Sequence, residues 1–337
     1  MTILLSDIGG TNIRFSLLSD NKISEIEYFK TADFFNIETV LSVYLKNKNI
    51  PQKMIFGVAG LVTNGYARLT NADFEINQQK LEMLYPHTKI KIVNDFILQG
   101  YGVLQTENND LREIGKATIR NEQSKIVLGP GTGLGSCFLI PNESDWSVLS
   151  SESGHTTLAP ISANQQKILA FISKNESPLS FEDVISGSGL CRLYQAVLQI
   201  QQLAPDSEWI RAVEDMKKAF SIINTKEASF VPLMPKEITK LAEDGEEVAL
   251  LTFWYFFEFL GIYASNLALT IKSEGGVYLV GSLLNQPFIK HLLLRSNFRK
   301  YFNTKGVFSD FMKNIPVFLV EKPHIQIDGL IYLSKNT

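Results

Sequence analysis

The most constraining feature of this chain is that its pattern begins twice. Near the N-terminus an apolar run, Ile3–Ile8, breaks at Asp7-Ile8-Gly9-Gly10-Thr11-Asn12 and resumes as Ile13–Leu18. From residue 125 the same order returns. Ile126–Leu128 leads into Gly129-Pro130-Gly131-Thr132-Gly133-Leu134-Gly135, and Ser136–Ile140 follows. Aligning Gly10-Thr11 with Gly131-Thr132 lays Ile13-Arg14-Phe15-Ser16-Leu17-Leu18 over Leu134-Gly135-Ser136-Cys137-Phe138-Leu139. Both read strand, glycine-threonine turn, strand. A repeat of this kind predicts two similar domains facing each other across a cleft, and 337 residues suffice for two cores.

Between the two beginnings, strand-like and helix-like periods alternate. After Ile23–Phe29, a third strand, the pattern predicts a helix over Ile37–Lys46, a strand at Met54–Ala59 and another at Tyr66–Leu69. Gln78–Leu84 reads as a helix, Ile90–Val93 as a strand ending in Asn94-Asp95, and Phe96–Leu104 as a helix. Thr106 to Ser124 is polar. Beyond residue 140 the chain reads as mostly helical to about Lys272, followed by strands Val277–Val280 and Val317–Val320 and a last helix from about Ile327. Such alternation implies α/β layers, helices covering a sheet.

Composition narrows the function classes. With 45% hydrophobic and 20% charged residues the chain is globular in type. A formal charge of −3 with no long Lys/Arg block points away from nucleic acid or an anionic membrane surface. Cys137 and Cys191 are too few for a zinc motif or a disulfide framework, which fits a reducing, cytoplasmic setting. The N-terminus lacks a basic region before its apolar run, so no signal peptide is read there. Val248 to Ile271 is long and apolar enough to span a bilayer. It carries Glu258 and Asn266 near its middle, and a charge there would cost a few kcal/mol. A buried core helix is therefore expected.

Glycines in the segment 7–12 would let backbone N–H groups and the Thr11 hydroxyl approach a phosphate, and Asp7 could hold a magnesium ion directly or through water. The segment is no Walker loop, and a ligand-free hairpin explains it equally well. Four glycines around Thr132 in the second turn exceed what a hairpin needs, which favours phosphate contact. Gly275-Gly276-Val277-Tyr278-Leu279-Val280-Gly281-Ser282, a strand running into glycine, is a weaker nucleotide-side candidate.

Asp95 follows an apolar strand, where α/β proteins bind ligands and where a base would abstract a hydroxyl proton. It also precedes a helix, where Asp is a favoured N-cap. Ser151-Glu152-Ser153-Gly154-His155 sets a carboxylate and an imidazole in one turn, suited to sugar hydroxyls or simply to a solvated loop. Glu182 lies in Ser180-Phe181-Glu182-Asp183, which resembles a capping box and makes it a first-turn residue.

Taken in order, these segments resemble the bacterial glucokinase family. They are Asp-Ile-Gly-Gly-Thr-Asn at 7–12, Leu-Thr-Asn at 69–71, Val-Asn-Asp-Phe at 93–96 and Gly-x-Gly-Thr-Gly-Leu-Gly at 129–135. Glu-x-Gly-His at 152–155, Glu-x-Val-x-Ser-Gly at 182–187, Asn266-Leu267-Ala268-Leu269, Gly275-Gly276-Val277 and Asn314-Ile315-Pro316-Val317 continue the series. The resemblance implies a two-domain α/β fold of the ribonuclease-H-like, actin/hexokinase type, with a ligand cleft between a small domain (1–105 plus 323–337) and a large one (106–322). It implies ATP and Mg2+ as cofactors, glucose as substrate, and a homodimer. Asp95 becomes the catalytic base, and Asn71, Asn94, Glu152, His155 and Glu182 sugar contacts. Asp7, Gly9, Gly10, Thr11, Asn12, Gly131, Thr132, Gly133, Gly281 and Ser282 become the nucleotide side, with Asp7 on the metal. Three departures stand out: Ser151-Glu152-Ser153-Gly154-His155 for the usual Gly-Glu-Gly-Gly-His, Gly281-Ser282 for Gly-Gly, and Asp328-Gly329-Leu330 without the usual extra glycines. Alternatives on the same scaffold are a kinase of another hexose or amino sugar, and a silent sugar sensor.

Overall fold

The computed structural model describes residues 1–20, 22–69, 72–117, 122–143, 145–173, 178–200, 207–222, 232 and 234–336. The chain forms two compact units. One comprises Met1–Asp110, Val148–Ser150 and Lys322–Thr337, the other Leu111–Ser147 and Ser151–Glu321.

The first unit is built on β1 (Thr2–Ile8), β2 (Asn12–Ser19), β3 (Lys22–Ile23), β4 (Glu27–Lys30), β5 (Lys53–Val58) and β9 (Lys89–Asn94). Strands β6 (Val62–Thr63), β7 (Tyr66–Arg68) and β8 (Glu75–Asn77) form a small separate sheet. The main sheet runs β3-β2-β1-β5-β9, with β4 also on β2. β1 and β2 pair antiparallel across the first glycine turn, from Thr2↔Ser19 to Ile8↔Ile13, while β5 and β9 run parallel to β1. Both faces are covered, so β1 carries apolar residues on each of its two faces. Leu4 and Ile8 pack into one cluster with Phe15, Val40, Tyr44 and Phe56; Ile3 and Leu5 join a second with Leu98, Leu330 and Leu333. That is the two-residue period of a strand.

The single strand expected at Ile23–Phe29 is instead two pieces. Leu18 pairs with Ile23 but Phe15 with Glu27, so one extra residue enters the outer strand. Ser24 absorbs it: its Oγ accepts from Leu17 N at 2.9 Å. This is a bulge in an edge strand.

The sheet of the second unit has the strands β10 (Leu111–Glu113), β11 (Lys125–Pro130), β12 (Leu134–Pro141), β14 (Gly276–Leu279) and β15 (Val317–Val320), and β13 (Trp146–Ser151), of which Val148–Ser150 group with the first unit, continues it in the order β10-β15-β14-β11-β12-β13. β11 and β12 are antiparallel from Lys125↔Leu139 to Pro130↔Leu134, and β14 is parallel to β11. The internal repeat is thus structural: each unit has an antiparallel pair closed by a glycine-threonine turn, with a parallel strand beside the first member. Two strands correct the sequence reading. β10 lies within the stretch read only as polar, and β13 within the part read as mostly helical.

The apolar helix Glu247–Ile271 is the core of this unit, not a free apolar rod. Length and composition alone would let it cross a membrane, yet 89% of its most apolar window is buried inside the protein. A helix apolar on every side must be enclosed. Phe253, Phe256, Phe257, Phe259 and Tyr263 are fully buried along it. Its buried Glu258 accepts from Gln165 Nε2 at 3.0 Å and Asn297 Nδ2 at 3.1 Å, which offsets the cost of burying a carboxylate. Glu246 caps its start, accepting from Val248 N and Ala249 N.

Candidate active site

In the first unit, strand register collects the candidate residues at one end of the sheet. Ile8 is level with Val58, and Val58 with Asn94. The Gly9 turn and Asp95 therefore leave the same carboxyl end of three adjacent parallel strands, where α/β sheets bind ligands. Thr31 ties the turn inward. Its Oγ1 donates to Gly9 O at 2.7 Å, and its backbone N to Thr11 O at 3.1 Å. Gly9 N donates to Asn12 O at 2.9 Å. The turn's acceptors are thus engaged within the protein, while the Thr11 and Asn12 side chains stay exposed and Gly10 is half-buried.

Asp7 is largely enclosed and already has partners. Arg14, opposite it in register, donates from Nη1 to Oδ2 at 2.5 Å, and Gln326 Nε2 donates to the same oxygen at 3.2 Å. Neither partner is a candidate in the sequence reading. Arg14 was within reach of it, because a hairpin closed at Ile8↔Ile13 sets residue 14 opposite residue 7. Gln326, far along the chain, was not.

Asp95 is not the N-cap of the helix it opens. The N-cap of helix Asp95–Val103 is Asn94, whose Oδ1 accepts from Phe96 N at 2.9 Å while its Nδ2 donates to Gly60 O at 3.0 Å. Asp95 is the first helical residue; its Oδ1 also accepts from Phe96 N, at 3.0 Å. Asn71 lies outside the described residues.

In the second unit three loops meet at the turn between β11 and β12. Gly187 N donates to Gly131 O at 2.9 Å, and Gly131 N to Gly133 O at 2.8 Å. Glu182 Oε2 accepts from Leu134 N at 2.7 Å, and Glu182 Oε1 lies 3.9 Å from His155 Nε2. Glu182 heads the short helix Glu182–Ile185, the first-turn place expected of it, and the capping-box carboxylate is the residue after it. Asp183 fills that part, accepting from Ser180 N at 2.9 Å and Ser180 Oγ at 2.7 Å, and Arg192 holds it at 2.7 Å. Freed from the cap, Glu182 points at the glycine turn. Glu152 and His155 are exposed at either end of one short helical turn, with His155 N donating to Glu152 O at 3.0 Å. A β-carbon on Gly133 would sit 2.6 Å from Glu182 Oε2, so glycine there keeps room for the carboxylate.

Gly131 tells a different story. A β-carbon there would meet nothing nearer than Gly133 O at 4.0 Å. The chain's own packing does not require glycine at 131, and the space beside it suits close approach by a ligand. Gly281 joins the same end of the sheet. Its φ of +125° demands glycine, and a β-carbon would lie 2.9 Å from Pro130 O. Ser282 opens a short helix beside it and is exposed.

A family model described as Glucokinase matches residues 4–337. The chain belongs to the glucokinase family. Membership makes it an enzyme, a sugar kinase acting on glucose. It is 31% identical to a glucokinase of Sinorhizobium fredii over 99% of this chain and 92% of that one. A crystal structure of glucokinase from an Antarctic psychrotroph superposes with a TM-score of 0.78 at 28% identity, covering 100% of this chain and 99% of the other. A ROK family glucokinase from Streptomyces griseus, solved in complex with glucose and AMPPNP, shares the fold: TM-score 0.63, 16% identity, 100% of each chain. The fold is thus the two-domain α/β architecture of actin and hexokinase.

Proposed function

We propose that this enzyme transfers the γ-phosphoryl group of ATP to the 6-hydroxyl of glucose, with Asp95 as the general base. The observation that carries this reading is the register Ile8↔Val58↔Asn94, which brings the glycine turn and Asp95 out at one sheet end. Phosphoryl transfer asks a protein mainly for positioning and charge stabilisation. Asp95 accepts the proton of the attacking hydroxyl, and the turn amides neutralise charge on the phosphate oxygens. Asn94, Glu152, His155 and Glu182 bind the remaining hydroxyls. The complex of the Streptomyces griseus enzyme with AMPPNP supports an adenine nucleotide as donor.

Magnesium would enter with the nucleotide and offset the charge of its phosphates. Among the described residues no group of three or more His, Cys, Asp and Glu side chains could cage a metal ion. A lone carboxylate does fit an ion that keeps several waters and takes its other ligands from phosphates. Asp7, with Arg14 and Gln326 both on Oδ2, has Oδ1 left for such an ion or one of its waters. ATP as donor and cysteines at 137 and 191 that form no disulfide fit a reducing, cytoplasmic setting.

A coupled assay with Mg-ATP, read both as ADP and as glucose 6-phosphate, tests the reaction. Glucose-dependent formation of both is expected, with kcat/KM higher for glucose than for mannose or N-acetylated sugars. A preference for another hexose, or ADP release indifferent to sugar, overturns the reading.

The phosphate role of the second turn has its own test in Gly131→Ala. Open space around the added methyl keeps the change in stability within about 0.5 kcal/mol. The KM for ATP is expected to rise several-fold while that for glucose holds. An unchanged ATP KM would remove position 131 from the nucleotide site.

A further inference from the structure

We propose that Tyr263, acting through Ser153 and Ser136, is a positioning residue that fixes the sugar-binding turn and sets affinity for the hexose without touching it. The inference rests on the sugar-kinase reading above. Tyr263 is fully buried on the helix Glu247–Ile271. Its hydroxyl lies 2.8 Å from Ser153 Oγ, Ser153 Oγ lies 2.6 Å from Ser136 Oγ, and Ser136 Oγ donates to Ser151 O at 3.4 Å. Ser153 N in turn donates to Ser151 Oγ at 3.2 Å.

Counting protons gives this relay a direction. Burial pushes the Tyr263 phenol up to about 12, with the neighbouring serine hydroxyls pulling the other way, so the phenol remains a donor at neutral pH. Tyr263 then donates to Ser153, Ser153 to Ser136, and Ser136 to the Ser151 carbonyl. Each hydroxyl gives its single proton, and the chain ends on a backbone acceptor next to Glu152.

The ring of Tyr263 serves the other loop. It packs on Phe181, the residue before Glu182, with ring centroids 5.0 Å apart. The main chain joins the two loops as well: Phe181 N donates to Thr156 O at 3.2 Å, and Thr157 bridges Ser180. One core side chain therefore underpins both the Glu152–His155 turn and the start of the Glu182 helix. The Ser153 hydroxyl is what connects the turn to Tyr263.

The test is a double-mutant cycle with Tyr263→Phe and Ser153→Gly, read as glucose KM, ATP KM, kcat and melting temperature. Each single change is expected to raise the glucose KM about tenfold, with kcat and ATP KM within about twofold of wild type. The double variant should be no worse than the weaker single one, because the first cut already breaks the chain. Should Tyr263→Phe fail to fold, Ser153→Gly carries the test alone through the same split of KM from kcat. A lowered melting temperature with unchanged glucose KM overturns the proposal, and so do additive effects in the double variant. A wild-type enzyme without glucose turnover would overturn the sugar-kinase reading and this inference together; a glucose-active wild type with indifferent variants overturns the inference alone.

Discussion

Replacing Asp95 by asparagine is expected to lower kcat for glucose phosphorylation by about 100-fold or more. The substitution separates the two roles that the sequence left open at this position. Asparagine keeps the shape and retains an oxygen that can accept from Phe96 N, so the helix start is preserved. The cap itself belongs to Asn94, which accepts from the same N–H at 2.9 Å. Stability should therefore change by no more than about 0.5 kcal/mol. What asparagine cannot do is take a proton from an attacking hydroxyl. Glucose binding, followed by calorimetry, should stay within a few fold of wild type, since the amide still offers an acceptor and adds a donor. A purely structural Asp95 would give the opposite split, a loss of stability with near-normal turnover. That result would remove Asp95 as the base.

How far the sequence could be read depended on the range of each contact. The glycine turns, the strands flanking them and the enclosed apolar helix all follow from local pattern and were legible. β10 and β13 were not. Three residues at a sheet edge, Leu111–Glu113, carry too little period to stand out from a polar stretch. Trp146–Ser151 alternates only weakly in burial, because it is the last strand of its sheet. In the site, Asp7 and Asp95 stood out because they end apolar strands. Glu182 did not, because Ser180-Phe181-Glu182-Asp183 reads as a helix start, in which Glu182 is an ordinary first-turn residue. The deciding contact, Leu134 N to Glu182 Oε2, spans 48 residues of chain. Tyr263 was hidden more deeply. Nothing in a run of aromatic residues says which of them reaches a serine 110 residues away.

The helix that begins at Asp95 is held by a contact that glycine alone permits, which makes Gly329→Ala the most destabilising small change to expect in the first unit. The C-terminal helix Ile325–Asn336 packs against Asp95–Val103 at two complementary points. A β-carbon at Gly329 would lie 1.9 Å from Leu98 O, and one at Gly102 would lie 2.2 Å from Ile325 O. Helix propensity works in the substitution's favour, since alanine is better than glycine in a helix interior by about 1 kcal/mol. The overlap outweighs it. A backbone carbonyl has no rotamer to turn away, so the helices must separate and loosen Leu98, Leu330 and Leu333 from Ile3, Leu5, Ile55 and Val93. Overpacking of this kind costs about 1–3 kcal/mol, occasionally more, and overlap with backbone puts this site at the upper end. The net loss should be about 2 kcal/mol, read as a lowered urea midpoint at unchanged slope. Because the displaced helix carries Asp95 at its first position, kcat should fall too, by about tenfold for a sub-ångström misplacement of the base. Gly102→Ala approaches the same contact from the other side and should give a similar loss. The pair together should cost less than their sum, since one separation of the helices relieves both overlaps. Stability retained in either single variant would mean that the two helices do not approach at this distance.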